Sequence, residues 1–356
     1  MKAFSSDFID IRTWTQGKQT PDFRNIAAVL SKKAPSRPTL FEFAITSQEL
    51  LDALSGAIEY NRADPLFYHK RMVDAHHVAG YDYAGIRGSS FAFEGGNREQ
   101  KDTLSLNQGH VIQDRESYEA YTWMEPEDAD YTWLDQLQAY MPAGMKLHVP
   151  GPDGVLETVL KLVGCDNLCY MLYDEPELVK DIFDAVGSRY LRYYAMCAQH
   201  EAVGAMMNDD DWGFKTHTLL SAEHMREYVI PWHIKIAEAV HKAGKFMTLH
   251  SCGNIQSMMS HVIDDIGYDG WHSYEDNILP VEQAYERYGG KIAILGGIDV
   301  DFLCRSTPQK VYERSCRMLE QTREKGGYGL GSGNSIPGYV PMENYLAMIA
   351  AAVFNL

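Results

Sequence analysis

Eight short apolar runs, each followed by a stretch with helical or loop character, constrain this chain more than any other feature. They are PTLFEF (38–43), YDYAGIRG (81–88), KLHVP (146–150), AVGAMMND (202–209), KFMTLHS (245–251), YDGWHSYE (268–275), KIAILGG (291–297) and GYGLGSG (327–333). Strand–helix alternation joins neighbouring strands in parallel through right-handed crossovers. Eight such units predict a closed (β/α)8 barrel rather than an open doubly wound sheet. No G-x-G-x-x-G follows a strand and opens a helix, as a dinucleotide fold would need. The whole chain, 1–356, reads as one domain, with the polar segment 89–135 as an irregular excursion over the barrel mouth.

The helical stretches carry their own punctuation. Asp174 is placed to cap a helix with Pro176 and Glu177 in its first turn, followed by apolar residues at helical spacing. Thr307-Pro308 opens another, with Val311, Ser315, Met318 and Leu319 as its inner face. The stretch 341–354 is nearly all apolar or small and is expected to pack on the barrel wall. DGVLETVLKLVG reads as a helix that continues through CDNLC, which makes Cys165 and Cys169 packing residues.

Charge and cysteine usage exclude several function classes. The formal net charge of −17 and the absence of a basic run argue against nucleic acid or an anionic membrane as partner. No run approaches the roughly 20 apolar residues of a membrane-spanning helix. The N-terminal MKAFSSDFIDIRTWTQ lacks the pattern of a secretory signal, so a cytoplasmic location is expected. Six cysteines spread over 356 residues read as reduced thiols rather than a disulfide framework.

In a barrel of this type the active site forms at the C-terminal ends of the strands. Those ends supply Glu42, Tyr81 to Tyr83, His148, Asp209 to Asp211, His250, Cys252, His272, Glu275, Asp299, Ser332 and Asn334. Turn chemistry accounts for many polar residues at such places. His250 and Cys252 are the sharper pair. At i and i+2 of a strand end their side chains point to the same side, and imidazole nitrogen and thiolate sulfur are both zinc ligands. The alternative is a buried histidine and a buried thiol that merely end a strand. In NDDDWG (208–213) adjacent carboxylates raise one another's pKa, which suits acid–base work or cation binding, or else a solvated loop or helix cap.

The order of these motifs resembles the uroporphyrinogen decarboxylase superfamily, which includes zinc-dependent, corrinoid-linked methyltransferases. The resemblance runs from about residue 22 to the C-terminus, most strongly through DDWGFKTHTLLSAEHMREYVIPW (210–232), KFMTLHSCGN and KIAILGGIDVDFLCRSTPQKVYE (291–313). It too implies a (β/α)8 barrel. The true decarboxylases carry an arginine-rich N-terminal R-Q-A-G-R-Y signature. The corresponding stretch here is LFEFAITSQEL, with the acid Glu42, so a role on a many-carboxylate tetrapyrrole is not expected.

In the methyltransferase branch H-x-C and a later cysteine bind zinc. His250 and Cys252 match the first two positions, whereas the third falls on Ser332. The resemblance thus implies a zinc enzyme that moves a methyl group between a small methylated or thiol substrate and a corrinoid carried by a partner protein. Asp210 and Asp211 would position substrate or move protons. Glu275 would be a further acid/base group, and it or one of Asp209 to Asp211 would complete the metal shell in place of Ser332. The alternatives are a decarboxylase acting on a porphyrinogen or a smaller acid, and a non-catalytic barrel that binds a ligand or corrinoid.

Overall fold

The computed structural model describes residues 2–14, 20–56, 58–96 and 109–354. Seven parallel strands form one curled sheet in chain order: β1 Tyr83–Gly85, β2 Lys146–Pro150, β3 Val203–Asp209, β4 Phe246–His250, β5 Gly270–His272, β6 Ala293–Leu295 and β7 Tyr328–Gly329. These are seven of the eight expected runs, with helices packed outside. The eighth run, 38–43, is not a regular strand. It closes the barrel between β7 and β1 as a seam with one backbone bridge, Leu40 to Leu330.

At this seam the Phe41 N–H donates to the Leu330 carbonyl at 2.7 Å and the Leu330 N–H to the Thr39 carbonyl at 2.9 Å. Pro38 has no N–H to start a ladder. On the β1 side a side chain replaces the backbone pairing. The Tyr83 hydroxyl accepts from the Glu42 N–H at 2.6 Å and donates to the Glu42 carbonyl at 2.7 Å.

The barrel interior is more polar than apolar strand runs suggest. Phe41, Tyr83 and His148 pack ring against ring, with centroids 5.3–5.9 Å apart. His148, expected at the rim, is therefore an interior residue, and burial pulls its pKa down to about 3, which keeps the ring neutral. Tyr81 also leaves the rim: its hydroxyl meets that of Tyr345, on the C-terminal helix Met342–Val353, at 2.9 Å.

Most of the expected helices form. Thr307 caps Pro308–Thr322 by accepting from the Lys310 N–H, and Val311, Ser315, Met318 and Leu319 are buried. Met342–Val353 is buried along most of its length. Glu175 holds the N-cap position of the helix Pro176–Cys197 without a side-chain hydrogen bond, because Asp174 already belongs to the preceding helix. The stretch 155–174 is two helices, Val155–Val163 and Cys165–Asp174, since Gly164 takes φ +83° and breaks the run. That turn leaves Cys169 exposed rather than packed.

The described part of the excursion is also more ordered than its polarity implied. It holds the helices Arg115–Ala120 and Thr132–Tyr140, and it buries Phe91 and Phe93 against Tyr190 and Tyr193. Residues 97–108 of that segment lie outside the described residues. All six cysteines are free. Among the described residues no helix is long and apolar enough to cross a membrane.

The seam depends on backbone contact. A Cβ on Gly331 would sit 1.6 Å from the Phe41 carbonyl oxygen, whereas one on Gly290 meets nothing within 4 Å. Gly331→Ala is expected to destabilise the fold by about 3 kcal/mol, the upper part of the range for overpacking. Gly290→Ala should change stability little. Urea midpoints of the two variants check this, and equal midpoints would remove the seam as the element that closes the barrel.

Candidate metal centre at the barrel mouth

β3 and β4 end side by side, with Asp209 opposite His250, and the next residues of each chain form the site. Asp210 is the anchor. Its carboxylate accepts from the Leu156 and Glu157 N–H groups at 3.1 and 2.9 Å, the free first turn of Val155–Val163. It also accepts from Trp212 Nε1 at 2.9 Å and meets His233 Nε2 at 2.9 Å. Orphan amides at a helix N-terminus and two ring nitrogens thus satisfy a carboxylate that is wholly buried. Gly154 permits the approach, because a Cβ there would fall 2.0 Å from Asp210 Cβ. Asp210, expected to handle substrate or protons, is committed instead to holding the β3 end against that helix and His233.

With Asp210 turned inward, its neighbour faces the mouth. The Asp211 carboxylate accepts from the Cys252 N–H at 2.7 Å. Gly253, at φ +82°, lets the β4 loop touch the β3 loop, since a Cβ there would lie 2.1 Å from the Gly213 carbonyl oxygen. Asp211, His250 and Cys252 then bring one ligand atom each within 4.8 Å of one another. His250 Nε2 lies 3.4 Å from Cys252 Sγ and 3.7 Å from an Asp211 oxygen, with an Asp209 oxygen at 3.8 Å. Tetrahedral zinc with bonds of about 2.0–2.3 Å needs roughly 3.4–3.6 Å between such atoms. The nitrogen, sulfur and oxygen donors fit that ion in kind, and the two distances from His250 Nε2 are close to that spacing.

A buried relay sets which nitrogen of His250 faces this cluster. His272 Nε2 lies 3.0 Å from the Ser332 carbonyl, which can only accept, so Nε2 carries the hydrogen. His272 Nδ1 is then the acceptor for His250 Nδ1–H at 2.8 Å. The lone pair of His250 is left on Nε2, toward Cys252 and Asp211. Burial lowers the pKa of His250 to about 3, so the ring is neutral. The Phe43 ring stacks on it at 4.1 Å. Burial, then the Asp211 charge, pushes the Cys252 thiol up, while Asn334 Nδ2 donates to its sulfur at 3.2 Å. His272 and Asn334 were legible as polar strand ends, but their roles arise only from contacts across the barrel.

The other sequence candidates fall outside the three-residue cluster. The Ser332 hydroxyl is engaged by Glu42, at 2.6 Å, and by the Asn334 carbonyl. Glu275 lines a small recess with Gly253, Trp271 and Tyr274, and its carbonyl receives the Ile278 and Leu279 N–H groups. Asp299 caps Val300–Arg305 by accepting from the Phe302 N–H, which is the turn role open to any strand-end acid.

Glu42 is wholly buried, and desolvation raises its pKa to about 8. Ser332 has one hydroxyl hydrogen and two acceptors beside it. When the Asn334 carbonyl takes that hydrogen, a protonated Glu42 completes the remaining contact.

The sequence pattern of the uroporphyrinogen decarboxylase (URO-D) family matches residues 156–353, more than half of the chain. The chain belongs to the uroporphyrinogen decarboxylase family. Among its relatives is a methylated-thiol–coenzyme M methyltransferase of Methanosarcina mazei, 24% identical over 350 residues, which span 94% of this chain and 89% of that protein. A uroporphyrinogen decarboxylase of Alkalilimnicola ehrlichii is 28% identical over 186 residues, 51% of this chain and 48% of that one. A solved methyltransferase from Methanosarcina mazei shares the fold, with a TM-score of 0.65 at 16% identity over 92% of this chain and 97% of that one. The curated relatives are enzymes of one superfamily, and a methyltransferase matches along nearly the whole chain.

The Glu42 proton has a measurable consequence. The folded state keeps it up to about pH 8, whereas an unfolded carboxyl releases it near 4.5. Folding stability therefore falls as pH rises through this window, by up to about 1.4 kcal/mol per pH unit from this group. Glu42→Gln should gain stability relative to wild type between pH 5 and 8. Parallel pH dependences of the two melting temperatures would show that Glu42 is ionised in the fold.

Proposed function

We propose that this protein is a methyltransferase that moves a methyl group between a small methylated or thiol substrate and a corrinoid carried by a partner protein, with zinc held by His250 Nε2, Cys252 Sγ and the Asp211 carboxylate. The observation that carries the reading is the convergence of these three unlike donors at one barrel mouth, in a chain whose near-full-length relative is a methylated-thiol–coenzyme M methyltransferase. Zinc supplies Lewis acidity, which favours the thiolate form of a thiol substrate or polarises the atom that carries the methyl group.

The chain's residues do the rest. His250 enters as a neutral ligand oriented by His272, which receives its Nδ1–H. Cys252 must lose its proton to bind metal. The Asn334 amide, donating to the sulfur, stabilises the resulting charge. Asp211 takes the third place, for which Ser332, Glu275 and Asp209 to Asp211 were the sequence candidates. Glu275, whose carboxyl is raised by burial and then by Asp299, stands beside the mouth as a proton carrier for the substrate. Asp210 positions Asp211 and does not touch substrate. The Asp211 side chain is partly exposed, and a corrinoid protein would dock on that side.

Metal analysis of purified protein tests the assignment. About one zinc per chain is expected, lost in Cys252→Ser and Asp211→Asn and retained in Glu275→Gln. His272→Phe should weaken zinc binding about 10–100-fold, the usual effect of removing an outer-shell partner. Ser332→Cys should add nothing, because position 332 faces Glu42. Methyl transfer to cob(I)alamin should follow zinc content. A protein that holds no zinc and transfers no methyl group, yet releases carbon dioxide from an acid, would establish the decarboxylase reading instead.

A further inference from the structure

Phe43 has a second face. One side of its ring stacks on His250, and the residue also lines a separate cavity of about 280 Å³ at the ends of the seam, β1 and β2. Its walls include Tyr68, Met72, Ile86 and Trp133, so its lining is mostly aromatic and apolar. None of the proposed zinc ligands lines it.

Two imidazoles are out of keeping with this wall, His69 and His76, each with a ring nitrogen that has no hydrogen-bond partner, and His76 is the fully buried one. His76, on the helix Phe67–Ala79, is 1% exposed. Its Nδ1 lies 2.8 Å from the Met72 carbonyl, which can only accept, so Nδ1 carries the hydrogen and Nε2 is a bare acceptor. That Nε2 has no hydrogen-bond partner in the structure. An unsatisfied buried acceptor is costly and calls for an occupant.

Gly85 keeps the approach to this nitrogen open. A Cβ built on it falls 3.7 Å from the Phe43 carbonyl oxygen and 3.8 Å from His76 Nε2, in ordinary contact with both. A side chain there would stand beside His76 Nε2, so the glycine keeps the approach to that nitrogen clear. The occupant must therefore be a donor. Burial lowers the pKa of His76 to about 4, so the ring offers no second hydrogen at neutral pH. The cation Arg87 lines the same cavity and disfavours an ammonium there, which leaves a hydroxyl. A flat ring suits the aromatic walls and the volume.

We propose that this cavity binds a small phenol, with its ring between Phe43 and Trp133 and its hydroxyl passing over Gly85 to donate to His76 Nε2. That this phenol is the body of the methyl-transfer substrate rests on the function proposed above; the cavity's preference for a phenol does not.

The test uses the full chain, stripped of metal with EDTA, and isothermal titration with 4-methylphenol and 4-methylanisole. The two probes share an apolar ring body, and only the first has a donor. Wild type is expected to bind 4-methylphenol at least tenfold more tightly. Gly85 does not have a positive φ, so Gly85→Ala should fold with an unchanged melting temperature while its methyl group crowds the approach to His76 Nε2. That variant should lose the preference, and His76→Phe should do the same. Equal affinity of wild type for the two probes, binding of neither, or a preference that survives Gly85→Ala would each overturn the proposal. Because the protein is metal-free, an absence of zinc or methyl transfer leaves this result standing. Failure here likewise leaves the zinc assignment untouched.

Discussion

The buried carboxylate of Asp210 is the interaction on which the mouth of this barrel depends. It joins the end of β3 to the first turn of Val155–Val163, to Trp212 and to His233. His233 is in turn held by the Tyr268 hydroxyl at 2.6 Å, and Asn208 donates to the same hydroxyl at 3.1 Å. With both oxygens satisfied, a wholly buried charge is tolerated. A carboxylate fixed inward at 210 turns Asp211 outward, where it receives the Cys252 N–H and meets His250.

A second network completes the site from the opposite wall. The Ser332–Asn334 segment reaches both proposed soft ligands, His250 through His272 and Cys252 through the Asn334 amide. At this place in the chain the zinc methyltransferases that the sequence resembles have a cysteine. Here the serine is bonded to Glu42, and the support it lends to the ligands passes through its carbonyl. Under the proposed assignment the donor set would be mixed rather than sulfur-rich, and a carboxylate in place of a thiolate would make a harder shell.

The barrel order was legible because strand–helix alternation is a local property of the chain. Seven of the eight runs became strands in the expected order. The exception, 38–43, pairs on one side only, and no property of PTLFEF itself announces that its other neighbour is a tyrosine hydroxyl. The break at Gly164 was the one local signal passed over, an isolated glycine inside an apolar helical run.

The sequence by itself determined the chemistry available at the mouth: an imidazole at the end of β4 with a thiol two residues on, three acids at and after the end of β3, and no basic run. Side-chain direction along a strand has a period of two, so the His250–Cys252 pairing follows from spacing alone. Tertiary structure decided which acid joins them. Asp209, Asp210 and Asp211 are equivalent in the sequence and differ only in what lies beside them. One is drawn under a helix terminus some 54 residues away in the chain, and another faces the ligands. The same holds for His76, whose unpaired nitrogen exists only because helix packing leaves a gap over Gly85. Contacts between residues distant in sequence are set by the closed barrel, and local patterning carries no record of them.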